Sequence, residues 1–387
     1  MDKLFHSLPP EKQRALLLGP AIPPPHGVVP NFENPPNSRH VGWIVTILGI
    51  SLSTISVVLR LYSRAVYTKK LEIEDYITLV ALGVFGVFDY YVMRIVVFPG
   101  YYVHTWDLQL QHLSGFLYNL FTGAAVHGIV VMLLKAAILL ELIRIFSARG
   151  QRGLFFWTCH TLIWLNVAFY TTCTFVEIFA CSPREKLWNK LIPGGRCIDS
   201  NILTLASSII NVPSDIIILI LPQRMIWRLQ VSSRKKLGIS MIFAVAIFAC
   251  VSAAIRLGYS VQMLHSRDVL YHAAPVGVWI QAEITAGFMI LGISALPRLV
   301  REISWLRKWA TIVKSWTNSS KEKKNSRGGL PSWYRPEPRK VPNENGWSVL
   351  ELDDPQFLTT HNPEETTTAK SNDGTIRSIR HERVMSP

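Results

Sequence analysis

Among the charged side chains that lie inside largely apolar stretches, four could neutralise one another: Lys135, Asp215, Arg256 and Glu283. They are two bases and two acids. A charge at the centre of a bilayer costs about 2.5 to 3.5 kcal/mol even on lenient insertion scales, so each needs a partner, a polar cavity or a functional reason to be there. The chemistry they suggest is mutual neutralisation around a polar core, with a ligand cavity beside it. Catalysis is not suggested. The chain has no His-Glu-x-x-His string, no Ser/His/Asp series in a recognisable context and no paired carboxylates, so no catalytic residue is assigned and the reading is not an enzyme. Cysteines at 159, 173, 181, 197 and 250 form no Cys-x-x-Cys pair and no Cys/His ligand spacing, so neither a metal site nor a cofactor is expected. His127 and His160, each without a ligating partner at helical spacing, read as histidines hydrogen-bonded within the core.

The elements that position these charges are membrane helices. The 387 residues are 49% hydrophobic and 17% charged, with a mean hydropathy of +0.24, too apolar for an ordinary soluble chain. Seven spans are read at about 41–59, 76–98, 114–143, 154–180, 202–221, 237–264 and 275–296. Asp89 and Arg94 fall in the second, Lys135 in the third, Glu177 late in the fourth, Asp215 in the fifth, Arg256 in the sixth and Glu283 in the seventh. The net charge of +14 sits in loops beside apolar runs and in the segment after the last of them, and no basic-helix, zinc or RNA-binding signature accompanies it, which excludes nucleic acid as a partner.

Lys and Arg collect in short loops on the cytoplasmic side. The loops after spans one, three and five hold four, three and five of them, while those after two and six hold none and one. The linker with Arg224, Arg228, Arg234, Lys235 and Lys236 has no acid and is the strongest of these signals. The loop after span four, with Arg184, Lys186, Lys190 and Arg196, runs against the pattern. The expected arrangement is an all-α polytopic membrane protein with seven transmembrane helices, an outside amino terminus and a disordered cytoplasmic tail. Its parts are a Pro-rich extracellular tail (1–39), a seven-helix domain (40–300), and a basic juxtamembrane segment with the disordered tail (301–387).

With that orientation the charges fall at two depths. Asp215 is six residues before Leu221 and Lys135 eight before Ile143, about 9 and 12 Å from the inner ends of their spans. Arg256 and Glu283 both fall in outer halves. The expectation is an inner pair, Lys135 with Asp215, and an outer pair, Arg256 with Glu283, the latter lining any ligand cavity. Separate snorkelling of each charge to water or backbone is the alternative.

A series of short strings in order resembles the fungal rhodopsin-like integral membrane domain, which includes receptor-like proteins of plant-pathogenic fungi and membrane proteins of mycotoxin clusters of the satratoxin type. The strings are Arg60 with Glu74-Asp75-Tyr76, Lys135 with Arg144-Ile145-Phe146, Cys181-Ser182-Pro183 with Trp188 and Cys197, and Asp215 through Leu221-Pro222. Arg234 to Gly238, Arg256, Glu283 and Leu296-Pro297 complete it. Two departures stand out: Glu74-Asp75 where the family often has two aspartates, and Gly100-Tyr101-Tyr102-Val103-His104 without the family's second glycine. The family pattern has two cysteines in the loop after span four, and that loop is placed outside, where a disulfide persists; both imply a Cys181–Cys197 bridge. Span seven has no lysine, so a retinal Schiff base has no residue in its usual helix, and the G-protein-coupled strings Asp-Arg-Tyr and Asn-Pro-x-x-Tyr are missing from the expected helix ends.

The resemblance implies a receptor-like sensor of an external small molecule or surface cue. Its alternative is a membrane component, transporter or scaffold, of a secondary-metabolite cluster. Expected partners are the lipid bilayer, an unknown small-molecule ligand and a cytoplasmic signalling partner at the 223–237 loop and the tail. The plasma membrane is favoured over internal membranes.

Overall fold

The structure is a computed structural model of the full chain and describes residues 7–146, 153–227, 233–296, 340–342 and 348–350. Among these the architecture is a bundle of long helices. They are α1 (Pro10–Leu18), α2 (Arg39–Tyr62), α3 (Ile73–Val97), α4 (Leu110–Phe146), α5 (Leu154–Ile178), α6 (Ser200–Trp227), α7 (Ser233–His265) and α8 (Val269–Ile293). By length and composition, six of them (α2, α3, α5, α6, α7 and α8) can cross a membrane. The seventh long helix, α4, has 37 residues, about 55 Å of rise, and packs against α3, α5 and α8. The chain is thus a mostly helical, multi-pass integral membrane protein.

Local chemistry explains the boundaries. A π-helical segment, Ser63–Thr68, prolongs α2 and ends at Lys69, which takes a left-handed conformation (φ 52°). Glu72 and Asp75 then form a reciprocal capping box: the Glu72 amide donates to Asp75 Oδ2 at 3.1 Å, which fixes the start of α3. Pro213 and Pro222 lie inside α6 and Pro275 inside α8. Each withholds one backbone donor from its own helix.

The bundle is organised around α8. Of its apolar window 61% is buried, against 11 to 28% for the other five candidate spans, so α8 is walled by protein while the rest turn broad faces outward. Ile284, Phe288 and Leu291 of α8 meet Val57 of α2, Phe85 of α3 and Leu134 of α4 in the main core. Close approach of α2 and α8 depends on two glycines. A Cβ on Gly49 would stand 2.6 Å from Gln281 Nε2, and one on Gly292 would stand 2.8 Å from Ser56 Cβ and 3.0 Å from its backbone. Exposed Ile44, Ile47, Leu48, Ile55 and Val58 on α2, and Trp157, Trp164 and Leu165 on α5, face where lipid would be.

The amino-terminal segment holds a helix that local periodicity does not announce. The Pro-rich tail (1–39) contains α1, started by Pro10 at its first position, and is tied to the connection between α3 and α4. The Ala21 amide donates to the Leu108 carbonyl (2.8 Å), Leu110 to Gly19 (3.0 Å) and Asn31 to Asp107 Oδ1 (3.0 Å). The signal for this lay in a partner about 80 residues away and not in local periodicity. In the carboxyl-terminal segment the described residues are two short paired antiparallel strands, β3 (Lys340–Pro342) and β4 (Ser348–Leu350). The basic residues Arg149, Arg152 and Arg228, Pro297 and the remainder of 301–387 lie outside the described residues.

Candidate functional site

The four buried charges meet at mid-bundle. Lys135 Nζ on α4 lies 2.8 Å from Asp215 Oδ1 on α6, and Arg256 Nε on α7 lies 3.0 Å from Glu283 Oε2 on α8. Lys135, Arg256 and Glu283 are each at least nine-tenths buried. Where two separate pairs were expected at two depths, the structure has one network, because Asn211 of α6 joins them. Its amide nitrogen donates to Asp215 Oδ2 (3.1 Å) and to Glu283 Oε1 (2.7 Å). Its amide oxygen accepts from Lys135 Nζ (2.6 Å) and from the Tyr170 hydroxyl of α5. A primary amide has two donors and two acceptor sites, and Asn211 uses all four.

The periphery is polar too. Lys135 Nζ donates to Ser214 Oγ (2.9 Å) and Arg256 Nη1 to Ser208 Oγ (2.9 Å), so α6 supplies a polar face, Ser208, Asn211, Ser214 and Asp215, at helical spacing. The Lys135 ammonium also stands 5.7 Å from the centre of the Tyr170 ring. Two bases and two acids make the network formally neutral, and five helices, α4 to α8, contribute to it. His127, eight residues before Lys135 on α4, is half-buried beside Phe88, and its buried Nε2 has no hydrogen-bond partner among the described residues. His160 lies apart, its Nδ1 3.0 Å from the Phe156 carbonyl one turn back.

A second cluster closes the opposite ends of α2, α3, α4 and α8 from those tied by α1. Arg60, fully buried, donates to Asp75 Oδ1 (2.8 Å), Glu141 Oε2 (2.8 Å), the Leu291 carbonyl (3.0 Å) and Ser294 Oγ (3.1 Å). Arg64 adds a 3.0 Å contact to Glu141, and Arg144 pairs with Glu72 and Glu74. Desolvating an arginine is tolerable only when its donors are used, and Arg60 uses its fork on two carboxylates and a carbonyl. Asp75 thus caps α3 with one oxygen and holds Arg60 with the other. Arg60, Glu74, Asp75 and Arg144 are legible as motif pieces; Glu141, which joins them, stands out from its apolar neighbours only by charge.

At the other end Asp268, the residue before α8, accepts from the Thr105 amide (2.8 Å) and hydroxyl (2.7 Å) and lies 2.6 Å from His104 Nδ1. The His104 ring is stacked between Trp106 and Tyr271 at 4.2 and 4.5 Å. The connection from α5 to α6 is a short antiparallel pair, β1 (Cys181–Ser182) with β2 (Arg196–Cys197), and a disulfide joins Cys181 to Cys197. Cys159, Cys173 and Cys250 are free. No group of three potential metal ligands occurs among the described residues.

The sequence profile described as the fungal rhodopsin domain matches residues 59–302. Among curated proteins, "Fugralins biosynthesis cluster protein 2" of Gibberella zeae is 35% identical over 75% of this chain and 72% of its own length. A "SAT4 family membrane protein" of Emericella nidulans is 40% identical over 44% of this chain and 43% of its own length. "Receptor GIN3" of Arthrobotrys oligospora is 21% identical over 57% of this chain and 53% of its own length. The chain therefore spans nearly three quarters of the first of these and about half of the other two. No solved structure matches it. The matched span begins one residue before Arg60 and extends past the end of α8, taking in both charge clusters and the disulfide loop, and with it the chain belongs to the fungal rhodopsin domain family.

Proposed function

We propose that this protein is a non-catalytic, retinal-free, receptor-like sensor of an external small molecule or surface cue, with α4 as a seventh span, the amino terminus outside and the carboxyl tail in the cytoplasm. The observation that carries the reading is the largely buried, formally neutral network centred on Asn211. Five helices share it, so displacing any one of its groups stresses all five. A buried network of this kind is costly to assemble and gives a bundle two packings separated by discrete changes of partner, which suits a switch. Lys135, Asp215, Arg256 and Glu283 are proposed as its ligand-cavity or structural charge pairs, with His127 beside them. The 223–237 loop and the tail are the proposed site of a cytoplasmic partner, and the plasma membrane the proposed location.

A second reading is favoured by one finding: the relative that is 35% identical over 72% of its length is named for a biosynthesis cluster. In that reading the protein serves a secondary-metabolite pathway as a membrane transporter or scaffold. A deletion strain complemented with wild type or Asn211→Leu separates the two. A sensor predicts loss of the response to external cues with an unchanged metabolite profile in the absence of the cue. Loss of one metabolite class with cue responses intact would overturn the sensor reading in favour of the pathway one.

A further inference from the structure

The end of the bundle at which α3 stops and α4 begins carries a recess of about 570 Å³, separate from the charge network. Trp43 of α2, Tyr90, Arg94 and Phe98 at the end of α3, and His112 and Gly115 of α4 line it. Its volume falls inside the usual range of about 300 to 1,000 Å³ for small-molecule sites. Trp43, Tyr90 and Phe98 are 43, 57 and 51% exposed, so the recess opens sideways, toward the surface that meets lipid.

The lining is graded. Arg94 lies one turn from the end of α3, about 4.5 Å of rise, and Gln111 and His112 lie in the first turn of α4, so the cation lies at interfacial depth, while the amide of Asn119 is about two turns deeper along α4. Tyr90 and Phe116 extend the walls about one turn or more toward the membrane centre. The His112 ring stands edge-on to Phe98 at 5.1 Å. Arg94 makes no ion pair with any described residue, in contrast to Arg60, Arg64, Arg144 and Arg256. Complementing the carbonyl end of α3 or snorkelling would account for an arginine here by itself. Neither accounts for a walled recess beside it, nor for Gly115, where an added Cβ meets nothing within 4 Å although the position faces that recess.

We infer that this recess is a lateral binding site for a membrane phospholipid, its anionic phosphate at Arg94 beside Gln111 and His112 and the upper part of an acyl chain between Trp43, Tyr90 and Phe116. A cation at headgroup depth above an apolar, bilayer-facing groove matches the charge and polarity gradient of that molecule. The site does not depend on the sensor reading.

The test uses the full chain in phosphatidylcholine vesicles with a trace of phosphatidic acid bearing a photoreactive diazirine on its acyl chain. Cross-links mapped by peptide mass spectrometry are expected to concentrate in 90–98 and 111–119. Gly115→Leu, which fills the recess from an open position, is expected to lower that labelling about tenfold, the equivalent of about 1.4 kcal/mol, with an unchanged melting temperature. Arg94→Gln is expected to lower phosphatidic acid labelling by a similar factor while leaving a diazirine diacylglycerol, which has no phosphate, unaffected. Labelling spread over all outward-facing helices and insensitive to both substitutions would overturn the site, leaving only the ordinary lipid annulus. Labelling of the recess by a diazirine free fatty acid, and not by the phospholipid, would overturn the occupant.

Discussion

Asn211 decides how the four charges behave together. An amide with all four hydrogen-bonding positions used holds both ion pairs in one frame, so removing Lys135 disturbs Glu283 although the two are not in direct contact. Lys135→Gln and Glu283→Gln are therefore expected to be non-additive, with an interaction of about 0.5 to 3 kcal/mol in thermal unfolding in detergent. In an Asn211→Ala background the same two substitutions are expected to add; additivity in the wild-type background would sink the hub. Exchanging Lys135 with Asp215 is expected to recover only part of the loss of about 3 to 5 kcal/mol from either single change, because a lysine at 215 presents donors to an amide that already donates there. The charges themselves were legible, since an ion inside an apolar run announces itself and helix rise gives its depth. Asn211 and Tyr170 were not, because neutral polar residues occur in membrane helices for many local reasons and nothing along the chain distinguishes a hub from a side chain bonded to its own turn.

Among the elements, α2 and α8 approach each other closely at Gly49 and Gly292. Gly292→Ala would press a methyl to within 2.8 Å of Ser56 Cβ and against its backbone, and a loss of about 1 to 3 kcal/mol is expected. Gly83→Ala on α3, where an added Cβ meets nothing within 4 Å, is expected to be neutral or to stabilise by up to about 1 kcal/mol. Comparing their melting temperatures checks the claim; equal shifts would mean that the two helices part without cost. Arg60→Ala should cost more, about 3 to 5 kcal/mol, because it strands Asp75 and Glu141. Hydropathy located the spans to within about six residues, span 154–180 matching α5 closely and span 202–221 falling six residues short of the end of α6. It missed α1, since a short helix between prolines has neither the length nor the periodicity to register, and it understated α4, whose polar ends continue the helix past the apolar run.

At the scale of the whole molecule, the proposed orientation makes a prediction outside the described residues. Asn318-Ser319-Ser320 is the sole glycosylation sequon in the sequence and would face the cytoplasm, so endoglycosidase treatment is expected to leave electrophoretic mobility unchanged, and a shift would refute the orientation. The Cys181–Cys197 bridge closes a short loop, and Cys181→Ser with Cys197→Ser is expected to destabilise by about 3 kcal/mol, read as a lower melting temperature under non-reducing conditions. Loop charges carry the proposed orientation and family strings carried the bridge, but neither gave the order in which helices surround one another, which depends on faces that touch. That order puts α8 in the middle, and α8 is held at three levels: Asp268 by Thr105 and His104, Glu283 by Arg256 and Asn211, and Leu291 with Ser294 by Arg60. A stiff rod clamped at both ends and at its midpoint does not bend locally when one clamp is turned. A rigid turn of α8 would therefore have to change partners at all three levels together, from Asp268 to the Arg60 contact about 35 Å of helix rise away.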